Sequence, residues 1–152
     1  YTKAQVKDML AMALGGRVAE EMIFNEITTG ASNDLEHATQ LARSMVTRYG
    51  MSERLGPRTF GKREELIFLG REITEQRDYG DQVAEMIDQE VHDLIQEAQE
   101  VARGILEAHK AKLVQLARHL ITHETIEGNE LNKLFESEAP PLEAETAPAP
   151  AN

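Results

Sequence analysis

Apolar residues at Val6, Met9, Leu10, Ala13, Leu14, Val18, Met22 and Ile23 recur at steps of three and four. That period predicts a helix over about residues 3–23. Gly15-Gly16 falls inside it. A glycine costs about 1 kcal/mol in a helix interior relative to alanine. The pair therefore predicts a kink, a close helix contact or a backbone approach to a site. A polar stretch, 25–33, carries turn residues. Leu35, Ala38, Ala42, Met45 and Tyr49 then step down one face of a second helix, 34–49. Asn33 with Glu36 fits a capping box at its start, and Gly50 stands where a C-terminal glycine belongs.

The pattern changes over 51–70. Leu55-Gly56-Pro57 reads as a turn. Thr59-Phe60-Gly61 and Leu66-Ile67-Phe68-Leu69 flank a charged stretch and predict a small hairpin. From Asp78 to Lys110, the residues Val83, Ile87, Val91, Leu94, Ala98, Val101 and Ile105 form a heptad-like seam on one long helix. A further helix is expected over 111–122, a turn over 125–129, and a short last helix over 130–136. In that last helix Leu131, Leu134 and Phe135 are expected to turn inward. The expected fold is mainly α: a helical bundle of four to five helices with a small irregular β-hairpin.

Composition adds a boundary. Of five prolines, Pro140, Pro141, Pro148 and Pro150 lie after Ser137, beside Glu138, Glu143 and Glu145 and no basic residue. Residues 137–152 are expected to be a disordered acidic tail, and 1–136 the folded part. The chain carries 16 Lys and Arg against 27 Asp and Glu, a net charge of −11. That balance argues against nucleic acid as a partner. The absence of cysteine excludes disulfides, thiol catalysis and cysteine-ligated zinc. No apolar run is long enough to span a bilayer, and the N-terminal residues do not form a signal peptide. These 152 residues are therefore expected to be soluble.

Several residues suggest chemistry. His123-Glu124-Thr125-Ile126-Glu127 begins like the zinc-protease motif H-E-x-x-H, but its fifth residue is Glu127. Gly128 follows, so the run reads as an interhelical turn. His119 and His123 stand four apart, as metal-chelating histidines do. No glutamate follows His119, and a helix C-terminus favours histidine through its dipole alone. The pair reads as structural, and His37, His92 and His109 read as surface residues. Glu20 and Glu21 are expected to pair with Arg17. Asp34, at a helix start, is electrostatically favourable there whatever its function.

The run Thr28-Thr29-Gly30-Ala31-Ser32-Asn33-Asp34-Leu35 resembles a signature of the FtsH family, the membrane-anchored AAA+ zinc metalloproteases. Ala13-Leu14-Gly15-Gly16-Arg17-Val18-Ala19-Glu20-Glu21 resembles the family's GGRxAEE helix. Ala38-Thr39, Leu41-Ala42-Arg43, Met45-Val46-Thr47, Tyr49-Gly50-Met51-Ser52 and Leu55-Gly56-Pro57 follow in the family's order and spacing. Phe68-Leu69-Gly70-Arg71 and Glu124-Thr125-Ile126-Glu127-Gly128 fit as well. The likeness covers nearly all of 1–136.

The resemblance implies part of an ATP-dependent zinc endopeptidase that degrades unfolded or membrane proteins. It implies a homo-hexamer whose membrane anchor lies outside this chain and whose peptidase domain faces the cytoplasm. The family's H-E-x-x-H helix, and the AAA+ module that would take ATP and magnesium, lie upstream of the matched region. On that reading 1–136 is the C-terminal portion of the peptidase domain, without a catalytic residue of its own. Its one carried-over site residue is Asp34, the family's third protein ligand to zinc. The chain alone is expected to be inactive. The alternative is a helical oligomerisation module without catalysis, suggested by the long seam.

Overall fold

The structure is a computed structural model, and it describes residues 1–61 and 78–138. The chain divides into two units, Tyr1–Gly104 and Ile105–Asn152. Five helices are described: α1 (Lys3–Phe24), α2 (Ser32–Thr47), α3 (Asp81–Ala108), α4 (Lys110–His123) and α5 (Gly128–Glu136). A 3₁₀ turn, Thr29–Ala31, leads into α2.

Helix α1 is closed at both ends. The Thr2 hydroxyl accepts from the Gln5 N–H at 3.2 Å, and the Gln5 side chain accepts from the Thr2 N–H at 2.9 Å. This capping box satisfies two donors that a helix start leaves open. At the other end Asn25 takes a left-handed conformation (φ 52°) and its N–H reaches the Glu21 carbonyl. Gly15 and Gly16 do not interrupt the helix, which is continuous from Lys3 to Phe24. A β-carbon at either would meet no atom within 4 Å. The expected kink or close contact is therefore absent among the described residues.

Val6, Leu10, Ala11 and Leu14 of α1 pack with Ala38, Ala42 and Met45 of α2 and Ala98 of α3. The alanines on α2 keep its inner face thin, so large side chains of α1 fill the space beside them. A second cluster joins Val46, Phe60 and Ile87, with Leu55, Tyr79 and Val83 against it. Phe60 meets Tyr79 edge to face, with ring centres 5.9 Å apart. The α3 seam is thus core at Ile87 and Ala98, but Val101 is 46% and Ile105 56% exposed.

The end of α2 is bound to the loop after it. Gly50 has φ 61°, and a β-carbon there would come within 3.1 Å of the Pro57 Cα. Only glycine suits both the conformation and the space. The Phe60 N–H then returns to the Thr47 carbonyl at 2.8 Å. Thr59–Gly61 is irregular and not a strand, and no strand occurs among the described residues. The expected hairpin is not seen: its first arm is held by this return to α2, and Leu66–Leu69 lies outside the described residues.

In the second unit no residue of α4 is buried. Lys112 of α4 donates to the Leu134 carbonyl and to the Ser137 carbonyl. It thereby satisfies acceptors at the end of α5. Leu134 is buried, whereas Phe135, expected to turn inward, is 57% exposed. Of the expected tail, 139–152 lies outside the described residues.

Candidate metal-ligand loop

The loop after α1 is built around Thr28. Its hydroxyl accepts from the Gly30 N–H at 3.2 Å and donates to Oε2 of Glu20 at 2.8 Å. A side chain on Gly30 would crowd these same groups, coming within 3.2 Å of the Thr28 hydroxyl and 3.6 Å of Glu20 Oε1. The 3₁₀ turn then runs directly into α2. Helix α2 starts at Ser32, with Ala31 before it and no side-chain cap. The expected Asn33–Glu36 capping box is therefore replaced by the Thr28 turn, which organises the entry one step earlier.

Asp34 lies in the first turn of α2, where the helix dipole favours a carboxylate. Its side chain is exposed, and among the described residues no hydrogen bond or ion pair engages it. Among the described residues no group of three His, Asp or Glu side chains is placed to hold a metal ion. Asp34 thus offers a free carboxylate donor at the start of α2, not a complete ligand set.

The other candidates separate from it. His123 is the last residue of α4, and Glu124 follows in a left-handed conformation with φ 62°. The His-Glu pair therefore sits at a helix end, as the wrong fifth residue predicted. The His119 and His123 rings stack at 4.3 Å with their planes 20° apart. Near-parallel rings aim their nitrogen lone pairs side by side rather than at one point, which suits packing better than chelation. His37, His92 and His109 are exposed. Glu20 and Glu21 do not pair with Arg17: Glu20 holds Thr28, and Glu21 binds Arg103 at 2.8 Å. The Glu20–Thr28 link escaped the sequence pattern. The available signal was a Thr two residues before a Gly, which is turn chemistry.

The profile of peptidase family M41 matches residues 1–134. The chain belongs to peptidase family M41. Among relatives, ATP-dependent zinc metalloprotease FtsH 1 of Sphaerobacter thermophilus is 56% identical over 140 residues, 92% of this chain and 21% of that protein. ATP-dependent zinc metalloprotease FtsH of Chloroflexus aggregans is 57% identical over 136 residues, 88% of this chain and 21% of its own length. FtsH 1 of Conexibacter woesei is 48% identical over 151 residues, 98% of this chain and 23% of that protein. The chain thus spans about a fifth of the length of these relatives. The M41 match covers the whole α1–loop–α2 arrangement. No helix among the described residues of this M41 chain is long and apolar enough to cross a membrane.

Proposed function

We propose that this chain is part of an FtsH-type ATP-dependent zinc endopeptidase and that Asp34 is one protein ligand of its zinc. The observation that carries the reading is the free Asp34 carboxylate at the start of α2, just after a loop fixed by Thr28, within an M41 chain. A carboxylate oxygen is a suitable zinc donor beside two imidazoles. The sequence has no H-E-x-x-H, so the imidazoles and the proton-shuttling glutamate come from outside these residues. Asp34 would be one protein ligand beside those imidazoles. Bound zinc supplies Lewis acidity and a water activated for attack on a peptide carbonyl. The contribution of this chain is to hold the Asp34 donor and to fix the loop before it.

Residues 1–136 are then the C-terminal portion of the peptidase domain, and 137–152 an acidic tail. Substrates are unfolded or membrane proteins, the assembly is a homo-hexamer, and the peptidase side is cytoplasmic. Membrane anchoring and ATP with magnesium belong to segments outside this chain. The test replaces the matching region of the Sphaerobacter relative with this chain. Asp34→Asn in that hybrid is expected to lose bound zinc and casein cleavage while ATP hydrolysis continues. Retained stoichiometric zinc would refute the ligand role. The 152-residue chain alone, given zinc and fluorescent casein, is expected to cleave nothing.

A second reading, a helical assembly module, is favoured by the exposure of Val101 and Ile105 on the α3 seam. It predicts self-association in light scattering that Val101→Asp abolishes.

A further inference from the structure

Gly61 and Asp78 stand 17 positions apart in the sequence and meet in space: the Gly61 N–H donates to the Asp78 carboxylate at 2.7 Å. Their neighbours meet as well. Phe60 packs edge to face on Tyr79, with ring centres 5.9 Å apart. Phe60 is buried in one cluster with Val46 and Ile87, and its N–H is tied to the Thr47 carbonyl at 2.8 Å. Phe60-Gly61 and Asp78-Tyr79 therefore form a closed base between the end of the α2 loop and the approach to α3. A hydrogen bond to an ionised acceptor is stronger than a neutral one, and the aromatic pair adds to it.

Helix α3 is also joined to α1 and α2 directly. Ala98 packs with Val6 and Leu10 of α1 and Ala42 of α2, and Ile87 packs with Val46 and Phe60. The Ser52 hydroxyl donates to Glu90 at 2.6 Å, Lys7 meets Glu97 at 2.7 Å and Arg103 meets Glu21 at 2.8 Å. Partly exposed ion pairs contribute little each, so the buried apolar residues carry most of the association. All these links join residues up to Gly61 with residues from Asp78 onward. None of them requires the backbone between the two to be of a given length. The entropy of closing a loop also changes only slowly with its length.

We propose that the Gly61–Asp78 bond and the Phe60–Tyr79 contact are a clasp, and that α1, α2 and α3 stay assembled when 62–77 is shortened, replaced or cut. The first test replaces 62–77 in the full chain with a Gly-Ser linker of about six residues, ample for ends held at hydrogen-bond distance. The urea midpoint is expected to be unchanged or raised, with the amide NMR shifts of Leu10, Ala42 and Ile87 retained. A lower midpoint, or loss of those shifts, would overturn the independence of the fold from 62–77. A single cut within 62–77, made by a site-specific protease at an inserted site, is expected to leave two pieces that elute together in native buffer. Pieces that separate would overturn it equally. The clasp itself is tested in the otherwise unaltered 152-residue chain. Asp78→Ala is expected to speed amide hydrogen exchange at Gly61 by roughly tenfold, with no change at Leu10. Asp78→Asn, which keeps an acceptor without the charge, is expected to fall between and serves if the alanine variant unfolds. Unchanged exchange at Gly61 in these variants would overturn the role of Asp78.

Discussion

Glu20 of α1 and Thr28 of the following loop are joined by a hydrogen bond of 2.8 Å, across the turn that leads to Asp34. The same hydroxyl caps Gly30. Thr28→Val removes both interactions while keeping the side chain's shape. The expected cost is about 0.5–1.5 kcal/mol, because the groups are exposed and water replaces part of what is lost. Faster amide hydrogen exchange at Gly30, with little change at Leu10, is the expected readout. Unchanged exchange at Gly30 would show that the turn holds without Thr28.

Gly50→Ala is expected to destabilise the chain by at least about 1–2 kcal/mol, the cost of a left-handed conformation for a residue with a β-carbon. The φ of 61° and the 3.1 Å approach to Pro57 act together there. Urea unfolding measures the loss. A change within experimental error would mean that the Pro57 loop yields easily.

Gly15→Ala and Gly16→Ala are expected to act in the opposite direction. Each position is helical, with open space where a β-carbon would go. Each substitution therefore stabilises this chain by roughly 0.5–1 kcal/mol. Thermal unfolding checks it, and a lower midpoint in either variant would reveal a constraint on the glycine that α1 itself does not show.

On α3 the seam divides by depth. Ile87 is 1% exposed, and Ile87→Ala is expected to cost about 2–5 kcal/mol, transfer plus cavity. Val101 is 46% exposed, and Val101→Ala is expected to lie within about 0.5 kcal/mol of neutral. Denaturant midpoints of the two variants test the division. Similar losses would place Val101 in an interface.

The helices were legible because their apolar periods are long and regular, as at Val6, Leu10 and Leu14 in α1. The seam on α3 was legible as periodicity but not as depth. Periodicity marks a face, and it is the neighbours Val46 and Phe60 that decide that Ile87 is core while Val101 is not. The start of α2 was misread because Asn33 and Glu36 have capping chemistry. A turn made by Thr28, four residues before the helix, had already ordered the chain. The role proposed for Asp34 rests on the motif around it. Its physics, an acid at a helix start, is shared with many residues that bind nothing. The Glu20–Thr28 bond and the Gly50–Pro57 approach depend on where two segments meet, which no local pattern states.

Helix α4 buries none of its residues, and α5 buries only Leu134. Burial is what makes a region melt together with its neighbours, so a helix pair with so little of it has small cooperativity of its own. The chain is therefore not expected to unfold as a single all-or-none system. Its calorimetric enthalpy should exceed the van't Hoff value, with a shallow early transition from the helices after Ala108 and a sharper one from the α1–α2 core.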